Sequence, residues 1–246
     1  VSSPIPRRER LRQATLDEIK RTAHAQLAEL GAGGLSLRGV ARAMGMAPSA
    51  LYRYVESREV LLTELAADAF GSLADALTDA FDAAPADRHM DRWLAVARAH
   101  RRWALDHAIE YALIFGPQVP ASSYCEGRVA QELRRSVTVL FRCMSEAIEA
   151  DLVDASHVDA ELTPTMRASL RAWSHDHGMA VIGEAEMAVC LAVWTQLHGF
   201  LALEVFGHLP MALNDPEELF DRQMADAFAQ AYRQEKAAGP RAPVGG

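Results

Sequence analysis

Residues 36–58, SLRGVARAMGMAPSALYRYVESR, constrain the fold more than any other stretch of the chain. They read as two short helices around a tight turn. Ser36 stands as an N-cap, where a hydroxyl can accept a hydrogen bond from a free first-turn N–H. Leu37, Val40, Ala41 and Met44 fall at i, i+3, i+4 and i+7, one apolar stripe on one helix face. Gly45 follows where a left-handed residue without Cβ costs least. Pro48 opens the second helix, where its missing N–H has no helical partner to lose. Leu51 and Val55, four apart, face inward, which leaves Ser49, Ala50, Tyr52 and Arg53 facing out.

Helix, glycine turn, helix is the helix-turn-helix pattern, whose second helix enters the DNA major groove with its N-terminal residues leading. Any two short packed helices can imitate it. A corner inside a helical core, however, would cover its outer face with apolar residues. Here Tyr52, Arg53, Tyr54 and Arg58 cluster on one short element, with Arg38 and Arg42 on the helix before.

The segment from about residue 10 to 65 closely resembles the N-terminal DNA-binding domain of the tetracycline-repressor (TetR) family. Three elements carry the likeness: a long first helix ending at Gly31, the run LSLRGVARAMGMAPSALYRYV, and ESREVLL opening a fourth helix. The resemblance implies that Arg38 reaches a base edge or phosphate and that Pro48, Ser49 and Ala50 lie against base edges. It implies that Tyr52 and Tyr54 hydrogen-bond phosphates, with Arg53 on the same outer face, and that Arg58 holds a phosphate at the start of the fourth helix. The chain departs from the common pattern at Ala47, which cannot cap, and at Tyr54, where His is frequent. Ala47 and Ala50 offer methyl contacts only, so direct readout falls to Arg38 and Ser49.

A net charge of −8 looks wrong for such a partner, but its distribution resolves this. Residues 1–60 carry 10 Lys/Arg against 6 Asp/Glu, and residues 61–246 carry 15 against 27. A basic head meets phosphates while an acidic body stays away from them. Arg7, Arg8, Arg10 and Arg12 form a basic arm, read equally well as a DNA contact or as a solvated helix start. Three widely spaced cysteines, Cys125, Cys143 and Cys190, with no Cys-x-x-Cys, argue for a reducing, cytoplasmic compartment. No apolar run reaches the length of a membrane span, so no membrane partner is expected.

The remainder reads as helices. Ser57 can cap a fourth helix running to about Ala83, with Glu59 near its positive end. Two helices follow within 89–115, bent near Asp106–His107, and GPQVPA (116–121) is a loop. A long helix covers 123–153. After a polar link, Thr163 and Pro164 open another as N-cap and N1. Residues 184–207 are apolar nearly all round, and 216–235 carry a narrower stripe. These two segments from each of two chains would make a four-helix homodimer interface. The segment WTQLHGFLALEVFGHL (194–209) resembles the Trp-x-x-x-His-Gly signature of one TetR-family C-terminal subgroup, and YALIFG (111–116) fits it.

The reading is therefore all-α: a three-helix DNA-binding domain at 7–60, a larger ligand-binding and dimerisation domain at 61–236, and a disordered tail at 237–246. The family resemblance implies a pocket in the body, for which Trp93, Ala97, Trp103, His107, Tyr111, Phe115, Val137, Phe141 and Met144 are the lining candidates. Arg98, Arg101 and Arg102 are further candidates for an anionic ligand, although Arg102 can instead pair with Asp106 at i, i+4. No phosphate loop, nucleophile elbow or His-Glu-x-x-His pair is present, so neither a catalytic site, a metal nor a cofactor is expected. The function implied is a ligand-responsive regulator, most simply a repressor. It would bind a palindromic double-stranded operator as a dimer and be released by a small-molecule effector. The alternative is a helical small-molecule binding protein or enzyme carrying a vestigial helix-turn-helix.

Overall fold

A computed structural model describes residues 6–116, 126–150, 152, 155–176, 182–209 and 216–231. Among these residues every regular element is an α-helix. The chain forms two compact units, one of residues 1–76 and 102–137, the other of 77–101 and 138–246. The fourth helix belongs to the first unit as far as Ala76.

In the first unit, α1 (Arg7–Gly34) buries Ile19, Ala23 and Leu27 along one face. Its first turns differ from the stripe expected there: Leu11 and Ala14 are exposed. Gly31, at φ +67°, breaks the helical geometry near the end of α1, a conformation that costs glycine little. Next come α2 (Leu37–Ala43), α3 (Pro48–Leu51) and α4 (Arg58–Ala83). The Ser36 hydroxyl accepts from the Gly39 N–H at 3.0 Å, and the Ser36 N–H donates to Gln26 Oε1 on α1 at 3.3 Å. Gly45 sits at φ +64° between α2 and α3, as the turn requires. Leu51 and Val55 are buried with Val40 and Ala41. The Ser57 hydroxyl accepts from the Val60 N–H at 3.2 Å and so caps α4. The adjacent Glu59 carboxyl is held below its usual range, first by its own backbone N–H and then by Ser57.

α5 (His89–Asp106) and α6 (Ala108–Phe115) meet at His107, where the bend was expected. The loop reading of 116–121 lies almost wholly outside the described residues, and so does the tail. α7 spans Gly127–Glu149.

The second unit adds α8 (Ser156–Glu161), α9 (Pro164–Asp176), α10 (Glu184–Val205) and α11 (Pro216–Ala231). Thr163 caps α9 through the Met166 N–H at 3.2 Å. α8 occupies the stretch read as a polar link, and its flanking residues Ala155 and Leu162 are buried. α10 packs against α8, α9 and α11. α11 buries Phe220, Met224, Ala227 and Phe228. Arg98 and Arg101 are each paired with a carboxylate: Arg98 is bidentate to Asp221 (2.9 and 2.8 Å) and Arg101 to Glu204 (2.8 and 2.6 Å). Each fork matches the two oxygens of a carboxylate. Arg102 is exposed and makes no ion pair with Asp106 among the described residues.

One expectation is corrected here. α10, with 22 residues and a window of mean hydropathy 1.5, is long and apolar enough to cross a membrane by length and composition. Only 33% of that window is buried within the chain. Polar residues, the pair Thr195–Gln196 and then His198, interrupt the apolar run and hide its length in the sequence.

Candidate nucleic-acid interface

The helix-turn-helix presents its expected residues outward. Arg38 on α2 is exposed, as are Pro48, Ser49, Tyr52 and Arg53. Tyr52 retains 48% of its accessible surface although its neighbour Leu51 retains none. The helical period separates them, since a four-residue element places successive side chains on different faces. Ala47 stands at the N-cap of α3 without a side-chain hydrogen bond, as its methyl dictates.

Tertiary structure adds α1 to this face. Ala50, Arg53 and Tyr54 line a groove of about 980 Å³ together with Arg7, Arg8 and Arg12 from the exposed start of α1. Four guanidinium groups there stand against one carboxylate, Glu9. The Arg12 guanidinium lies 5.6 Å from the centre of the Tyr54 ring, a cation–π contact that ties the basic arm to α3. Met46 also lines the groove and was not singled out in sequence. Its place follows from the turn around Gly45, which leaves no periodic signal.

Arg58 is engaged within the head itself. Its Nε donates to the Leu35 carbonyl at 3.0 Å and its Nη2 to the Ala32 carbonyl, both at the end of α1. The last carbonyls of a helix lack intrahelical partners, and a guanidinium satisfies two at once.

Of the nine pocket candidates, Trp103, His107, Tyr111, Phe115 and Val137 belong to the first unit and Trp93, Ala97, Phe141 and Met144 to the second. In the first unit, Trp103 and His107 line a cleft with residues of α1, α4 and α6. Tyr111 is fully buried beside Phe115, ring centres 4.8 Å apart, and Phe115 meets Phe70 edge-on at 5.9 Å. Burial pushes the Tyr111 phenol well above its ordinary range. Val137 is buried on α7. In the second unit, Ala97 is fully buried, while Trp93, Phe141 and Met144 line a cavity of about 10 Å³. That is room for about one water, and it is bounded by apolar side chains. Trp93 is anchored by its indole N–H on the Met224 carbonyl at 2.8 Å and stacks on Phe228.

His198 lies against Trp194 with ring centres 4.6 Å apart and planes tilted by 51°, as i, i+4 spacing on α10 allows, and meets His100 edge-on at 5.0 Å. Burial lowers His198 to about 4. His100 is also pushed well down, first by burial and then by His198. Cys143 and Cys190 are buried and their thiols are pushed up to about 12 by that burial. Among the described residues no cluster of three or more His, Cys, Asp or Glu side chains could hold a metal ion.

Fold and surface together define a helical DNA-binding protein of the helix-turn-helix class. Residues 19–65 match the family model described as bacterial regulatory proteins, tetR family, and residues 93–228 match the tetracyclin repressor-like C-terminal domain. The HTH-type transcriptional regulators Rv1816 of Mycobacterium tuberculosis and Mb1846 of Mycobacterium bovis are each 34% identical to this chain over 221 residues, covering 89% of it and 93% of each relative. The crystal structure of the regulatory protein SCO4313 is 30% identical, with a TM-score of 0.70 over 91% of this chain and 99% of that one. A tetR-family regulatory protein from Rhodococcus RHA1, 17% identical, shares the fold with a TM-score of 0.59 over 89% of this chain and 98% of its own. The chain belongs to the TetR family of bacterial transcriptional regulators. It is a regulator of transcription and not an enzyme.

Proposed function

We propose that this regulator acts as a repressor that binds a near-palindromic operator as a homodimer and leaves it when a small-molecule effector binds. The observation that carries the DNA reading is the shared groove, in which Ala50, Arg53 and Tyr54 of the recognition segment stand with Arg7, Arg8 and Arg12 of α1. Guanidinium groups supply phosphate contacts that fix position, and the exposed Arg38 and Ser49 supply the groups that can read base edges. Arg58 enters this reading indirectly, by holding the end of α1 beside the start of α4.

Dimerisation rests on α10. Ala192, Gln196, Gly199, Leu203 and Phe206 recur every three or four residues and are all exposed, with Leu203 at 46% and Phe206 at 44%. A stripe of this kind on a helix whose opposite side is core is suited to self-association, since a two-fold axis matches one patch with itself. The exposed side of α11, with Glu217, Glu218, Arg222 and Asp226, is charged and would flank the contact. The Trp-x-x-x-His-Gly subgroup belongs to the same reading, as does a cytoplasmic location. Effector release requires that the effector prefer the DNA-free shape, and DNA must then weaken the effector by the same factor.

The test is selection of genomic fragments by the purified full chain, followed by footprinting and a salt titration on the best fragment. One enriched site with two-fold symmetry, bound more weakly as salt rises, supports the reading. Absence of any enriched site from apo protein would overturn it.

A further inference from the structure

The first unit holds another concave site, distinct from the basic groove and walled by α1, α4 and the α5–α6 junction. Its volume is about 240 Å³. Leu27, Leu65, Ala69 and Leu113 give it an apolar lining, and Trp103 with His107 gives it an aromatic wall. Those two rings stack 5.2 Å apart with 15° between their planes. An apolar cavity of about 150 Å³ already takes a benzene ring, so this cleft has room for two fused rings.

Polar groups narrow the chemistry further. The Trp103 indole N–H donates to Ser72 Oγ at 3.1 Å and is engaged. His107 Nδ1 lies 3.0 Å from the Trp103 carbonyl. A carbonyl only accepts, so Nδ1 carries the hydrogen, and in the neutral ring Nε2 is left as an acceptor. Around the cleft, Lys20 is held by Glu64 and Asp68 at 3.2 and 2.9 Å. His24 Nε2 donates to Glu110 at 2.6 Å. Arg128 pairs with the same Glu64 and Asp68, so Lys20, Arg21 and Arg128 against Glu64, Asp68 and Glu110 leave the rim without net charge when His24 is neutral. Such a cleft favours a flat, uncharged body and provides an acceptor for one donor on it.

We propose that this cleft is a binding site for an uncharged one- or two-ring aromatic molecule bearing an O–H or N–H donor, a phenol or naphthol in type. The ring lies against the Trp103–His107 wall and its donor bonds His107 Nε2. Any effect of the occupant on operator binding rests on the regulatory function proposed above, through α1, whereas occupancy is measured without DNA and stands or falls separately.

The experiment titrates the full chain by calorimetry with 2-naphthol and with 2-methoxynaphthalene, which has the same rings and no donor. The expected result is one saturable site per chain, with 2-naphthol bound about tenfold more tightly, the worth of one hydrogen bond in a partly dry site. His107→Phe keeps the stack, removes the acceptor and is expected to erase that preference. Ala69→Phe fills the cleft and is expected to abolish binding of both probes. Ile109 also lines the cleft, and Ile109→Trp serves as the filling variant should Ala69→Phe not fold by circular dichroism. Absence of saturable binding, equal affinity for the two probes, or binding that persists in a folded filled variant would each overturn the proposal.

Discussion

The guanidinium of Arg58 is bonded to the carbonyl of Leu35, Nε to oxygen at 3.0 Å, across 23 residues of sequence. A second bond from Nη2 reaches Ala32. Together they clamp the end of α1, just past the break at Gly31, to the first turn of α4. Both helices contribute to the first unit, so the clamp sets the angle at which α1 leaves the helix-turn-helix. Arg58→Ala is expected to lower the stability of the full chain by about 1.5–3 kcal/mol, the range for a hydrogen bond made by a charged group. Arg58→Lys should recover little of it, because a single ammonium cannot reproduce the fork. Urea denaturation of the three proteins checks this.

Salt dependence separates the roles of the surface arginines. Arg53→Ala and Arg12→Ala each remove one cation from the groove around Tyr54. Each is expected to weaken binding to all sequences alike and to reduce the slope of log affinity against log salt by about 0.9. Arg38→Ala is expected to relax sequence preference at one position of each half-site, with a loss of about 1–3 kcal/mol on the best site. Competition against mutated operators distinguishes the two behaviours.

Acid should destabilise the second unit before carboxylates titrate. His198 titrates at about 4 in the folded chain against 6.5 ordinarily, and burial is the cause. The unfolded chain therefore binds this proton first. Stability is complete above 6.5 and is lost as pH falls toward 4. The His198 contribution to that loss between pH 7.5 and 5 is about 2 kcal/mol, and His100, lowered by the same cause, acts in the same direction. Urea midpoints across that range measure it, and His198→Phe should flatten the dependence.

Thiol chemistry follows from the same burial. Cys143 and Cys190 are 1% and 4% exposed with thiols pushed up to about 12. At pH 8 their thiolate fraction is on the order of 10⁻⁴. In a Cys125→Ser background neither is expected to react with an aromatic disulfide reagent until urea unfolds the chain. Rapid labelling of the native protein would contradict this.

The exposed stripe on α10 gives a prediction about assembly. Leu203→Asp with Phe206→Asp places two charges on the face that carries the proposed two-fold contact. The variant is expected to elute as a monomer with wild-type helicity, and to lose operator affinity because both half-sites can no longer be held together. Light scattering on the eluting peak reads the mass directly.

Much of the helical order was legible because helix periodicity and caps are local. Ser36, Gly45, Pro48, Ser57 and Thr163 each do what their side-chain chemistry allows within four residues of chain. α8 was missed because six residues are too short to show a period. The exposure of Leu11 was missed because an apolar side chain at helical spacing reads as core wherever the helix goes.

The pocket candidates show where local reasoning ends. Trp93, Trp103 and Phe141 look alike in sequence, yet Trp103 walls a cleft of about 240 Å³ while Trp93 and Phe141 border about 10 Å³. Arg38 and Arg58 likewise share a charge, but only Arg58 finds carbonyls within reach. Most of the helices, the turn at Gly45, the outward face of α3 and the family follow from the amino-acid order alone. Those depend on side-chain size, charge and φ over a few residues. Which arginines remain available to phosphates, which aromatics enclose space and which thiols are sealed is set by how the helices pack. Those outcomes depend on what another helix, tens of residues away, brings within hydrogen-bond or van der Waals distance.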